Sequence, residues 1–306
     1  MDKIHFPYRS DSHLPFLHVV AESGSWEKHG LQVEYDYFVS SDDAHKNVAN
    51  GSVEFVGGNH VSTYAERTRG DKWVYLGQTV NLLNHRLVVK ADSGISKVSD
   101  LKGKVVGVKG QHPGGNTWLF LKQHGLQEDR GDIKFVKVRE AGGSWKAVLD
   151  GKVDATFVTP PADLYAKRAG LKVIDVEYLP MVWFTTFSSG LNFVEKHPDI
   201  VDRFLKGAIE GIAYFKTRRE DSIKIIKTRY TAEGDLDHET ATHLYEELAK
   251  ILAAKPYASI KAISNVYELG VRQDKAAEKV EPTALWDYHF LRRIDDSGFI
   301  DGLYEK

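Results

Sequence analysis

The chain has 306 residues, 42% of them hydrophobic and 27% charged, with a formal net charge of -2. That composition fits a globular chain of one large domain or two lobes, and it shows neither a basic stripe for nucleic acid nor a polybasic tail for a membrane surface. It holds no cysteine, which excludes disulfides, thiolate nucleophiles and cysteine metal sites.

Strands and helices alternate through the first part of the chain. Residues 3–8 read as a strand and 14–23 as a helix. Residues 33–38 read as a strand on the alternation of Val33, Tyr35 and Tyr37. Residues 42–50 read as a helix with Asp42 or Ser41 as N-cap and Gly51 just past its end. A strand at 53–56, a helix at 60–67 and a strand at 74–79 complete the first cycle. The second cycle reads as strands at 87–90, 105–108, 133–138, 155–158 and 173–176. Between them come a short helical turn at 98–101, a loop and helix at 114–125, and helices at 144–150 and 162–169. Strands alternating with helices of this length argue for parallel sheets built from βαβ units. Beyond residue 189 the pattern turns helical, at 200–214, 221–228, 237–253 and 285–295. The longest apolar runs fall far short of a membrane span. The start, MDKIHFPYRSDSHLPFLHVV, lacks a cationic region followed by an apolar run and a cleavage site. The expected location is periplasmic or lipid-anchored where a leader has been removed, and cytoplasmic otherwise.

Four strand-like runs are followed by loops that hold a histidine: His13, His60, His85 and His112. Ligands of open α/β sheets bind at the carboxyl ends of strands, so these loops are candidate site loops. The segment Gln111-His112-Pro113-Gly114-Gly115-Asn116-Thr117 follows a strand and opens a helix. Its two glycines let backbone amides approach a ligand, and a helix N-terminus favours an anion. Asn116 or Thr117 would cap that helix or bind a carboxylate. Asn59 and His60 follow Gly57-Gly58 at another helix start. Asn84 and His85 sit at the junction of the two cycles, where His85 serves either as a proton shuttle or as a hinge hydrogen bond. Glu140 stands before a glycine turn that leads to Trp145. Trp145, Trp183, Phe38, Tyr165 and Phe184 lie at or after strand ends and offer apolar walls. Thr159 precedes Pro160 and Pro161, which fix its turn. There is no phosphate-cradling glycine motif, no H-E-x-x-H and no nucleophile elbow, so neither a cofactor nor a metal is expected.

Five segments carry a family resemblance: LPFLHVVAESGSWEKHGLQVEY, DDAHKNVANGSVEFVGGNHVS, SGISKVSDLKGKVVGVKGQHPGGNTWLFLKQHGL, WKAVLDGKVDATFVTPP and IDDSGFID. In order and spacing the chain resembles the type 2 periplasmic solute-binding proteins. The nearest group holds the alkanesulfonate, taurine, nitrate and thiamine-precursor binders, together with the yeast pyrimidine-precursor synthase. The resemblance implies an α/β fold of two lobes with mixed or parallel sheets and a helical C-terminal tail. Lobe one would hold residues 1–86 and 189–306, and lobe two 87–188. A hinge of two crossing strands would lie near 85–87 and 187–191. It implies a substrate-binding protein of an ABC importer that closes on a small organic anion or aromatic acid and meets a permease. Hydrogen bonds would come from Ser40, Asn59, Gln111, Gly115, Asn116 and Thr159, with His13 and Gly114 beside them. The yeast synthase has a cysteine-rich stretch that this chain lacks. The alternative is a cytoplasmic enzyme on the same fold, an aromatic-acid decarboxylase or pyrimidine-precursor enzyme, with His13, His60, His85 and His112 handling the carboxylate and the proton. A ligand-sensing module is a third option, without a fused DNA-binding or signalling segment to support it.

Overall fold

The structure, a computed structural model, describes residues 1–58, 61–109, 114–139, 143–230 and 235–305, apart from the side chains of Ser41, Asp42 and His45. The chain forms two units, one of Met1–Leu82 with Pro180–Lys306 and one of Leu83–Leu179.

The first unit opens with β1 (Asp2–His5), α1 (Leu14–Glu22), α2 (Ser25–Lys28), β2 (Leu31–Glu34), α3 (Ser41–Asn50), β3 (Phe55–Gly57), α4 (Thr63–Thr68) and β4 (Trp73–Gln78). The chain leaves it through the short strand β5 (Leu82–Leu83). The second unit holds β6 (Arg86–Val89), a 3-10 turn at Val98–Leu101, β7 (Val105–Val108), α5 (Gly115–Gln123), β8 (Lys134–Lys137), α6 (Trp145–Leu149), β9 (Ala155–Val158), α7 (Ala162–Arg168) and β10 (Lys172–Asp175). The chain returns through β11 (Leu179–Pro180). It continues with β12 (Thr186–Gly190), α8 (Leu191–Lys196), α9 (Pro198–Thr217), α10 (Arg219–Arg229), α11 (His238–Ile251), α12 (Ile260–Gln273), α13 (His289–Asp296) and α14 (Phe299–Gly302).

The runs at Val105–Val108 and Ala155–Val158 form strands over the residues expected from their β-branched content. The five-stranded sheet is mixed and the three-stranded one antiparallel, where strict alternation had argued for parallel ones. In the second unit the order is β10-β6-β9-β7-β8: β7 runs parallel to β8 and β9, while β6 is antiparallel to β9 and β10. In the first unit β12 is the centre of β3-β12-β4 and antiparallel to both neighbours. β12 reads TFSSG, and all five residues are buried. The Ser188 hydroxyl donates to Val56 O at 2.7 Å and the Ser189 hydroxyl to Glu54 O at 2.6 Å. Those bonds satisfy the hydroxyls and let a polar strand lie inside. The whole of β12 lies in the first unit, so a boundary at 188/189 would cut through it.

Other elements depart from the expected bounds for local reasons. β1 stops at His5 instead of reaching residue 8, ahead of Pro7, which has no N–H to give. β2 pairs with β1 only over Leu31–Glu34, and Phe38 makes a single bridge to Tyr8. The N-cap of α3 is Ser40, in place of Ser41 or Asp42: its hydroxyl accepts from Asp43 N at 3.1 Å. α12 was not expected at all. Ser259 caps it, and Ala262, Ile263, Val266 and Leu269 bury one face. The helix expected at 285–295 begins at His289, because the preceding residues are held against β4 by Tyr75 N to Leu285 O (2.7 Å) and Asp287 N to Tyr75 O (2.8 Å).

The first unit's core gathers rings around Phe204 of α9. Phe55 stacks on it at 3.8 Å, Phe6 meets it edge-on at 5.1 Å, and Trp26 stacks at 5.6 Å. In the second unit one core cluster is aliphatic, with Val88, Val138, Val148, Val153 and Leu171 around Ala147 and Ala166, and the Phe120 and Phe157 rings meet at 5.3 Å.

Candidate functional site

In the first unit, the turn after β1 runs through Arg9 and Ser10 into a 3-10 turn at Asp11–His13. His13 is 5% exposed. Its Nδ1 lies 3.2 Å from Thr185 Oγ1, and its ring centroid is 5.9 Å from that of Phe184. A Cβ added at Gly57 would come within 3.0 Å of His13 Nδ1, so the bare Gly57 backbone is what lets the ring lie there. Burial holds the imidazole down to about 3, and the Arg9 cation acts in the same direction. Arg9 Nη1 donates to Gly58 O at 2.6 Å, which ties this turn to the end of β3.

Trp183 and Phe184 are half-buried, their ring centroids 5.5 Å apart, and Trp183 Nε1 has no partner among the described residues. Ser40, proposed as a ligand donor, has its hydroxyl engaged in the α3 cap, donating to Asp43 Oδ2 at 2.7 Å. Phe38 is 59% exposed, with its ring 6.0 Å from that of Tyr8.

In the second unit, α5 starts at Gly114, whose φ is +48°. A Cβ there would sit 2.7 Å from Val108 Cγ1, so glycine serves both the left-handed backbone and the close approach to β7. Among the described residues no side chain caps α5. Asn116 and Thr117 lie half-buried in its first turn and do not supply the expected cap. The first-turn amides therefore keep their positive partial charge unneutralised by a side chain of their own helix.

Trp145 opens α6, packs on the aliphatic core, and its Nε1 has no partner among the described residues. Thr159 is half-buried, and its carbonyl accepts from Ala162 N at 2.9 Å. Asn84 is buried, with Oδ1 lacking a partner among the described residues.

His85 has the surroundings of a core histidine. Its ring lies 4.4 Å from Phe120 and 5.0 Å from Phe157, and burial holds it down to about 4. Asn59, His60, Gln111, His112 and Glu140 lie outside the described residues. Among the described residues no group of three His, Cys, Asp or Glu converges as a metal site, and no helix is long and apolar enough to cross a membrane.

The structure thus brings His13 together with Gly57, Phe184 and Thr185 in one unit, and keeps Gly114 to Thr117 on one helical turn in the other. Two residues escaped the sequence reading. Arg9 follows directly on the first strand-like run, so the strand-end argument that selected His13 applies equally to it. His18 sits in the apolar face of α1, where its Nδ1 is 2.9 Å from Tyr35 Oη. Burial holds it down to about 4. Only helical periodicity could have marked it as an inward histidine.

The model of the family described as NMT1/THI5 like matches residues 12–221. A candidate aliphatic sulfonates-binding protein of Bacillus subtilis (strain 168) is 23% identical over 288 residues, 90% of this chain and 83% of that protein. Among solved structures, a candidate periplasmic sulfonate-binding protein, SsuA, of Methylobacillus flagellatus KT superposes with a TM-score of 0.75 at 15% identity, covering 99% of this chain and 96% of that one. A cysteine-to-serine variant of the desulfurization enzyme DSZB, in complex with biphenyl-2-sulfinic acid, superposes with a TM-score of 0.66 at 16% identity, covering 97% and 99%. At such identities the likeness establishes the periplasmic-binding-protein fold, which hosts binders and enzymes alike.

Proposed function

Because the chain belongs to the NMT1/THI5-like family, we propose that it is the solute-binding component of an ATP-driven importer and takes a small organic anion of the sulfonate or carboxylate kind. The observation that carries this reading is the start of α5. Among the described residues, a glycine-built turn leaves the first-turn amides without a side-chain cap, beside Asn116 and Thr117. Such a turn suits an anionic headgroup, because the amides and the helix dipole both favour negative charge. The aliphatic sulfonates-binding relative is consistent with that headgroup. Thr159 and the Trp145 indole, in the same unit as α5, are the groups we assign to the rest of the ligand. The role carries a membrane permease as partner and a periplasmic or lipid-anchored location.

The enzyme reading has one support, the fold shared with the desulfurization enzyme. Against it, His13 and His85 are both held neutral by burial, and His85 is enclosed by phenylalanine rings, a poor setting for a proton shuttle near neutral pH.

The test begins with mass spectrometry of small molecules released when natively purified protein is denatured. Calorimetric titration with ethanesulfonate and benzoate follows. An anion that binds and returns unchanged supports a binder, and one that is consumed marks an enzyme. The double variant Asn116→Ala/Thr117→Ala should weaken binding by about ten-fold, the scale of one lost hydrogen bond to a charged group, while its thermal midpoint stays near the parent's. An unchanged affinity would remove the anion from the α5 turn.

A further inference from the structure

We infer that Thr185 is a positioning residue that holds His13 as the neutral Nε2–H tautomer, making His13 an uncharged hydrogen-bond donor to an acceptor atom of a ligand that reaches the first unit. The role toward a ligand rests on the binding function proposed above, whereas the tautomer does not.

The argument is one of hydrogen-bond accounting in a dry place. Thr185 has no solvent exposure. Its amide donates to Thr79 Oγ1 at 2.7 Å, and its carbonyl accepts from Thr79 N at 3.1 Å and from the Thr79 hydroxyl at 2.9 Å. The Thr79 amide and hydroxyl are thereby engaged with the Thr185 main chain, its carbonyl accepts from Ala253 N at 2.8 Å, and the Thr185 hydroxyl finds another partner. Among the described residues that partner is His13 Nδ1, at 3.2 Å.

Two neutral arrangements exist. If Nδ1 carried the proton, it would donate to Thr185 Oγ1, and the Thr185 hydroxyl proton would be buried with no acceptor among the described residues. If the hydroxyl donates to Nδ1 instead, only lone pairs are left over. A buried donor without an acceptor is the more costly omission, so the second arrangement prevails and the ring proton sits on Nε2. An imidazolium, with protons on both nitrogens, would strand the same hydroxyl proton. The charge that faces His13 among the described residues is the Arg9 cation, which opposes a second positive charge.

The ring has little room to escape this choice. The Gly57 backbone lies against the Nδ1–Cε1 edge, where even a Cβ would come within 3.0 Å and 3.2 Å of those atoms, and the Phe184 ring stands at 5.9 Å. Among the described residues the hydrogen bond of this ring is the one at Nδ1. A fixed, neutral N–H recognises a sulfonate or carboxylate oxygen and rejects an amine at that point. It also does so without changing its charge as pH changes.

The test is a long-range proton–nitrogen correlation spectrum of the full chain labelled with 15N at histidine, with His13→Gln identifying the His13 peaks. The expected result is a neutral Nε2–H pattern for His13 that does not move from pH 5.5 to pH 8. Thr185→Val should lose that single tautomer, and Thr185→Ser, which restores the hydroxyl, should regain it. In calorimetry the ethanesulfonate affinity should be flat over the same range, fall several-fold in Thr185→Val and recover in Thr185→Ser. An Nδ1–H pattern in the parent protein, or a His13 that titrates within that range, overturns the inference. So does a Thr185→Val variant that keeps the parent pattern. Should Thr185→Val not fold, the parent spectrum decides. If ethanesulfonate and benzoate both fail to bind, the functional reading falls, while the spectrum still decides the tautomer.

Discussion

The two units solve the same problem with different materials. The first gathers its sheet from distant stretches of chain and seals it with aromatic rings on Phe204. The second is contiguous and closes over one cluster of valines and alanines beside a smaller ring group at Phe120 and Phe157. The first also buries more polarity, with His13, His18, Ser188 and Ser189 all inside. Stability and chemistry are therefore entangled in the first unit. In the second the candidate turns lie at the ends of strands and helices, with buried polar groups of its own in Asn84, His85 and Thr156. A change at the α5 turn should be read as a change in binding, and a change near His13 as a change in both.

The sharpest way to break this contrast is to cut each core. Phe204→Ala should cost about 3–5 kcal/mol, as large ring deletions do. Val148→Ala in the second unit should cost about 2 kcal/mol for the two methyl groups removed. Urea unfolding at pH 7 measures both, and equal losses would show that the ring cluster is not what distinguishes the first unit.

A smaller effect should appear in acid. His13 is held down to about 3, and His18 and His85 to about 4, against an ordinary value of 6.5. The unfolded chain therefore binds protons first as pH falls below about 6.5, while the folded chain takes them only near pH 4 and below. Each histidine can remove up to about 1.4 kcal/mol per pH unit across that window, and above it the penalty is absent. Urea midpoints at pH 7, 6 and 5 should fall progressively. His18→Gln, in the first unit, should flatten the decline, and a decline left unchanged would take His18 out of the account.

The smallest effect concerns caps. Asp237 caps α11 by accepting from Thr240 N at 2.8 Å, so Asp237→Ala should cost about 1 kcal/mol. A thermal melt of that variant calibrates how much a side-chain cap contributes here, against α5, which has none. A loss as large as that of Phe204→Ala would mean the cap holds more than its own helix.

Much of this was legible in the sequence, and the failures have physical causes. The strands Val105–Val108 and Ala155–Val158 and the turn Val98–Leu101 were visible because short apolar or β-branched runs with clear ends leave few alternatives. β12 was not read as a strand of its own but only within the crossing near 187–191 that the resemblance implied, since TFSSG has no hydrophobic pattern and its hydroxyls are satisfied by carbonyls of a strand far away in sequence. α12 was missed although its apolar face is regular, because its polar residues gave no strong start signal beyond Ser259. Of the candidate site, the glycine turn before α5 could be read from spacing alone. The partnership of His13 with Thr185 could not, since 172 residues separate them and only the folded sheet brings them together.

The position of β12 bears on how the chain is made. Its hydroxyl at Ser188 meets Val56, 132 residues upstream, and β3 and β4 are not neighbours until β12 lies between them. During synthesis the whole span Leu83–Leu179 appears before that strand does. The first sheet is thus a frame with its middle slat missing while the second unit is already complete. Through that interval two bare strand edges stand open, which is the condition under which chains join one another instead of themselves.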